Sequence, residues 1–243
     1  MPSEEKGKRS RLRLIIGAVT AFVLVPLFIF LGMTVWNDRK YYIVSLIIIA
    51  LSMVPFALRF EKKRQTAREL VVLAAMIAIG VAGRAAFYML PQVKPIVAIT
   101  IITGIAFGCE SGFIAGAMIA FVSNFLFIQG PWTPWQMEAL GLMGFFAGLI
   151  FHRKDGRIPR LIPLLVYGAL GTFIIYGFIV DTSTVFTVYS SEVTWKLALS
   201  TYAAGVPMNL VNAGATVVFL LLLARPMLKK LNRVRVKYGI LEE

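Results

Sequence analysis

The sequence holds one cysteine, Cys109, and one histidine, His152. A lone thiol excludes an intramolecular disulfide and any multi-cysteine metal cluster. Charge is also scarce. Only 15% of residues are charged, against about 25% in a soluble domain. No GxxxxGK[ST] stretch occurs, so the chain should not hydrolyse ATP by a phosphate-loop route. HExxH and GxSxG are missing as well. Paired carboxylates inside apolar runs, expected of a proton-driven carrier, are absent. His152 adjoins Arg153 and Lys154 and reads as a solvated loop residue. Nothing here calls for a catalytic residue, a metal or a cofactor, and the chain is expected not to be an enzyme. No internal repeat and no low-complexity tract is evident.

What the sequence has in abundance is apolar runs. Hydrophobic residues make up 58% of it, which rules out a disordered chain. A membrane-spanning helix needs about 20 mostly apolar residues. Candidate spans lie at 14–35, 41–58, 69–90, 96–107, 112–128, 135–151, 161–180 and 197–224. The span at 96–107 is short for a full crossing. The first has a basic flank but no small-residue cleavage site after it, so it reads as a retained helix and not a removed signal peptide. The sharpest composition break is the charged stretch before residue 69. The expected organisation is a two-helix hairpin at 1–60, a basic linker at 61–68, a six-helix core at 69–230 and a tail at 231–243. The fold class is all-α and polytopic, with both termini cytoplasmic.

The formal net charge is +13, which alone would allow a nucleic-acid partner. Its distribution argues against one. With eight alternating spans, twenty of the 25 basic residues fall on segments sharing one side, and only Arg39, Lys40, Lys94 and Lys196 on the other. Basic excess marks the cytoplasmic side of a membrane protein. The expected location is therefore a multi-pass protein of a cell membrane, in the bilayer of a bacterial cytoplasmic membrane. Arg84 belongs to neither group, because it lies within a span.

Several residues stand out at the outer ends of these spans. In the run Gln129-Gly130-Pro131-Trp132-Thr133-Pro134-Trp135-Gln136, Thr133 suits an N-cap and Pro134 the first helical position. Gln136 then completes a capping-box spacing. Trp132 and Trp135 suit either an interfacial anchor or a stacking wall for a flat ligand. Arg84, near Tyr88, either snorkels to the interface or meets an anionic or carbonyl group of a ligand. Asn124, Asn209 and Asn212 suit helix–helix glue or a polar pocket. Pro207, beside Asn209, would open backbone groups toward a cavity. Ala74, Ala78, Ala82 and Ala86 recur every fourth residue, a spacing for close packing or for contact with another membrane protein.

Residues 67 to about 151 resemble the S component of energy-coupling factor (ECF) vitamin transporters, and are similar to its cobalamin-type branch. The resemblance is carried by ARELVVLAAMIAIGVAGRAAFYMLPQVKP, ITGIAFGCESGFIAGAMIAFVSNF, QGPWTPWQM and GFFAGL. It implies a six-helix core that captures a vitamin at its outer face and works with a membrane coupling protein and two cytoplasmic ATPases. It also implies that the loaded subunit topples in the membrane to release its substrate. A self-sufficient carrier or channel is the competing expectation. By the same resemblance, Ala74, Ala78 and Ala82 form the coupling-protein face, and the loops at 91–95, 129–134 and 181–196 line the pocket. Arg84, Tyr88, Asn124, Gln129, Trp132, Trp135, Gln136, Asn209 and Asn212 are the expected substrate-binding residues. The N-terminal helix pair is an addition to the usual six.

Overall fold

A computed structural model describes residues 15–36, 43, 46, 47, 50, 51, 67–153, 155–188 and 194–238. Every regular element among them is helical. A π-helical turn, Thr20–Leu24, leads into α1 (Val25–Trp36). The core follows as α2 (Ala67–Ala86), α3 (Ile96–Phe107), α4 (Cys109–Phe127), α5 (Thr133–Phe151), α6 (Leu161–Gly171), α7 (Phe178–Val188) and α8 (Trp195–Tyr238). A second π turn, Thr172–Gly177, joins α6 to α7 without a break, so the described core holds six continuous helical segments. The second helix of the expected N-terminal hairpin, at 41–58, lies largely outside the described residues, as does the linker as far as residue 66.

Among the described residues, three helices are long and apolar enough to cross a membrane on their own: Cys109–Phe127, Leu161–Thr187 and Trp195–Val234. Shorter apolar helices complete the bundle. The chain is an α-helical membrane protein. Its centre is α3, in which all 12 residues are buried. No polar stripe interrupts this helix because no side of it meets solvent. It packs against α2, α4, α5 and α8.

The tightest packing joins α3, α4 and α5 through glycines. A Cβ on Gly144 would sit 2.5 Å from the carbonyl carbon of Gly112, and one on Gly112 would sit 2.7 Å from that of Gly144. Gly104 of α3 packs on the same carbonyl of α5, since its Cβ would lie 3.1 Å from the Gly144 carbonyl carbon. Membrane helices gain no hydrophobic drive from one another, so such backbone approach supplies the van der Waals attraction instead. Only hydrogen side chains permit it here. The N-terminal helix adds to α5 from outside: Phe22 meets Phe145 and Phe146 at ring distances of 6.1 and 5.4 Å, and Val25 and Ile29 are buried.

Several sequence expectations are corrected. The 112–128 span starts at Cys109, and only Gly108, at φ 94°, separates it from α3. The expected loop at 181–196 is helical through Val188. Pro207 and Pro226 sit inside one continuous helix, α8. The capping box does not form. Trp132 takes the N-cap position of α5 without a side-chain cap. Thr133 and Gln136 spend their side chains elsewhere, as described next.

Candidate functional site

A cavity of about 680 Å³ lies among α2, the α2–α3 connection, α3, α5, the second π turn, α7 and α8. It falls in the range of small-molecule sites, roughly 300–1,000 Å³. Its lining draws on the C-terminal end of α2, the N-terminal ends of α3 and α5, and the N-terminal half of α8. These ends share one side of the bundle. The basic segments around Arg153–Arg160 and Arg225–Lys237 belong to the opposite ends of α5, α6 and α8.

One wall is built on Arg84. Its Nη1 donates to Ser123 Oγ at 2.5 Å and to Asn124 Oδ1 at 2.7 Å, and its guanidinium lies 4.9 Å from the Phe127 ring centroid. Asn124 is the hub. Its Nδ2 donates to Thr133 Oγ1 at 2.9 Å and to Gln136 Oε1 at 3.0 Å. Thr133 in turn donates to Gln129 Oε1 at 2.9 Å and accepts from the Gly130 N–H at 3.2 Å. Gln129 Nε2 closes the set on the Phe121 carbonyl at 2.8 Å. Buried polar groups are tolerable only when paired, and this network pairs them fully enough to fix the α4–α5 turn. The turn is strained next to it, since Ile128 holds a φ of 74°, rare for a β-branched residue.

The opposite wall comes from α7 and α8. Asn209 Nδ2 donates to Asp181 Oδ2 at 2.7 Å. Glycines make room for both partners. A Cβ on Gly205 would stand 2.6 Å from Asp181 Oδ1, and one on Gly177 would stand 2.7 Å from the Asn209 amide carbon. The two helices are further joined by Phe178 stacked on Tyr202 at 5.3 Å and by the Thr182–Tyr202 hydroxyl pair at 2.9 Å. Lys94, Gln92 and Tyr176 line the space between the walls. Gln92 takes a left-handed φ of 57° in the α2–α3 connection. Burial pushes the Lys94 ammonium below its ordinary pKa, and the nearby Arg84 charge pushes the same way.

Among the residues expected to bind substrate, the cavity brings together Arg84, Gln136, Asn209 and Asn212. Asn124 and Gln129 stand behind this lining as buried hydrogen-bond partners. Tyr88 is exposed and stacks on Phe127 at 5.2 Å. Trp132 is half-exposed and lies over Gly130. Trp135 stacks on Phe186 at 6.1 Å with planes 12° apart. Neither tryptophan contributes to the cavity lining, so the expected stacking wall does not form there. Tyr176, Ser200 and Thr201 line the cavity without having been singled out, whereas Asp181 and Thr184 fall within the 181–196 segment expected to line it. The available signal was on α8, where Thr201, Gly205, Met208 and Asn212 recur at helical spacing as one mixed face carrying two polar side chains. Ala74, Ala78 and Ala82 of α2 are exposed along that helix, outside the cavity. Among the described residues, no cluster of three or more acidic, histidine or cysteine side chains is placed to hold a metal.

A family model described as ECF-type riboflavin transporter, S component, matches residues 64–231. The match begins just before α2, ends within α8 and leaves out residues 1–63, and it names the riboflavin branch where the motifs pointed to a cobalamin one. Comparison with curated proteins and with solved structures gave no match.

Proposed function

The chain belongs to the family of ECF-type riboflavin transporter S components, and from that premise we propose that it is the substrate-binding subunit of an ECF importer for a flavin-type vitamin. Membership makes it a multi-pass transport protein. The observation that carries the finer reading is the coincidence of the family match with a cavity at the end of the bundle remote from the basic segments. Basic segments mark the cytoplasmic side, so the cavity would face outward, where an importer meets its substrate.

The lining suits a planar, polar heterocycle with a hydroxylated chain. Arg84, Lys94, Gln92 and Gln136 offer donors for ring carbonyls, while Asp181 and the Asn209 amide oxygen offer acceptors for N–H and O–H groups. Ile96, Val180 and Met208 supply apolar contact. Asn124 and Gln129 would act as positioning residues for Arg84 and Gln136. Capture needs no catalysis by this chain. Energy would come from a coupling protein and two ATPases, with the exposed Ala74, Ala78 and Ala82 as the docking face and release by toppling. This division accords with the missing phosphate loop.

The direct test is flavin fluorescence quenching on the purified chain. Riboflavin should bind at one site, and Arg84→Ala should weaken it by roughly 10-fold or more, the scale of one charge-assisted hydrogen bond. Unchanged affinity in that variant would remove Arg84 from the site. Riboflavin flux into liposomes holding this chain alone would instead favour a self-sufficient carrier.

A further inference from the structure

The positive features of the cavity converge on one side and lack a counter-charge. Arg84 and Lys94 both line it, near enough for the Arg84 charge to act on the lysine. Arg84 is satisfied only by neutral partners, Ser123 and Asn124, and by the Phe127 ring. The one hydrogen bond of Lys94 goes to the Leu90 carbonyl at 3.1 Å. Neither cation forms an ion pair among the described residues. The single carboxylate of the lining, Asp181, is held on the other wall by Asn209. A third positive element adds to the pair. Ile96, the first residue of α3, also lines the cavity, and this helix end has Pro95 at its N-cap with no side-chain cap. Its first-turn N–H groups therefore carry the positive end of the helix dipole toward the same region.

Arg84, Lys94 and the uncapped start of α3 thus gather positive charge on one side of the cavity, with the lining carboxylate on the other. We infer that the cavity is built for a ligand bearing an anionic group, a phosphate monoester or a carboxylate, seated between Arg84, Lys94 and the start of α3. Arg84 has guanidinium N–H groups beyond Nη1 for paired contact with such an oxyanion, and Lys94 serves as a point charge. Asp181 then faces the uncharged, donor-bearing part of the same ligand. The inference rests on the flavin reading only for the choice of probe, because it makes the phosphorylated flavin, FMN, a better ligand than riboflavin.

The test is a pair of quench titrations on the purified full chain, with FMN and with riboflavin, at matched ionic strength. FMN should bind about 10-fold more tightly or better, a difference of one good charge-assisted contact. In Lys94→Gln, the FMN-to-riboflavin ratio should fall to about 3-fold or less. Wild-type protein that binds riboflavin as tightly as FMN, or more tightly, overturns the inference while leaving the flavin reading intact. Should neither flavin bind, the flavin reading fails and thermal melting in inorganic phosphate decides the anion site. There, replacing chloride by phosphate at matched ionic strength should raise the wild-type Tm by about 2–4 °C more than that of Lys94→Gln. Equal shifts in both proteins overturn the inference, since a general salting effect of phosphate would act on both alike.

Discussion

Glu138 shows how much a single residue can cost this bundle. It sits in the first two turns of α5, is 3% exposed, and neither carboxylate oxygen has a hydrogen-bond partner among the described residues. Leaving a buried polar group unmet costs about 1–3 kcal/mol, and more for a charged one. Methionine matches the length of glutamate and carries no polar oxygen. Glu138→Met should therefore raise the Tm of the detergent-solubilised protein by several degrees, read by intrinsic fluorescence melting; a lowered Tm would mean that the carboxylate has a favourable partner. The contrast with Asn124 is instructive. Asn124 is equally buried but uses both its amide nitrogen and its oxygen, so it organises its surroundings where Glu138 only burdens them. Sequence pattern alone marked Asn124 as polar in an apolar helix. It could not tell that the residue would face Arg84, because that contact joins positions 40 residues apart.

At the scale of elements, some boundaries were plain and others concealed. The limits of α3 are written in the chain, with Lys94-Pro95 before it and Gly108 after it. Those of α7 are not. Asp181, Thr182, Thr184 and Thr187 dilute the apolar signal and make the segment read as a loop. The structure absorbs this polarity internally. Thr182, Thr184 and Thr187 each donate back to a carbonyl four residues earlier, at 2.6, 3.2 and 2.7 Å. Such back-bonding satisfies hydroxyls without leaving the helix. The cavity wall on α7 was expected at 181–196 as a loop and not as a helix, for the same reason. The glycine contact of α4 and α5 is the most exacting feature of the packing. Gly144→Ala must push α5 away from Gly112, and overpacking of this kind costs about 1–3 kcal/mol. The variant should melt at a lower temperature. Gly214→Ala, where an added Cβ meets nothing within 4 Å, serves as the control that should not.

For the molecule as a whole, the separation of the cavity from the alanine face is the main result. The cavity occupies one end, and the exposed alanines of α2 run along a flank. On the proposed function, binding and docking are separable. Ala78→Trp should block co-purification with the coupling protein while riboflavin quenching persists, and intact co-purification would assign the ladder to lipid contact. The aromatic residues of the α4–α5 turn were the loudest signal in the sequence, yet they sit beside the site and not in it. The quieter residues of α8 form the wall itself. Composition reports which side chains are unusual, whereas a cavity is defined by which ordinary ones converge.

The burial of α3 bears on how the protein is made. At about 1.5 Å per residue its 12 residues reach only about 18 Å, short of a hydrocarbon core of roughly 30 Å. It offers no flank to lipid, and its shelter comes partly from α5 and α8, which are synthesised after it. During translation it would lack the cover of α5 and α8 until those helices are made. A chain stalled before α8 would hold an unfinished pocket, with the anchoring helix of one wall still missing. The cavity is thus complete only once α8 is in place, since residues of α8 between 200 and 212 form part of its lining.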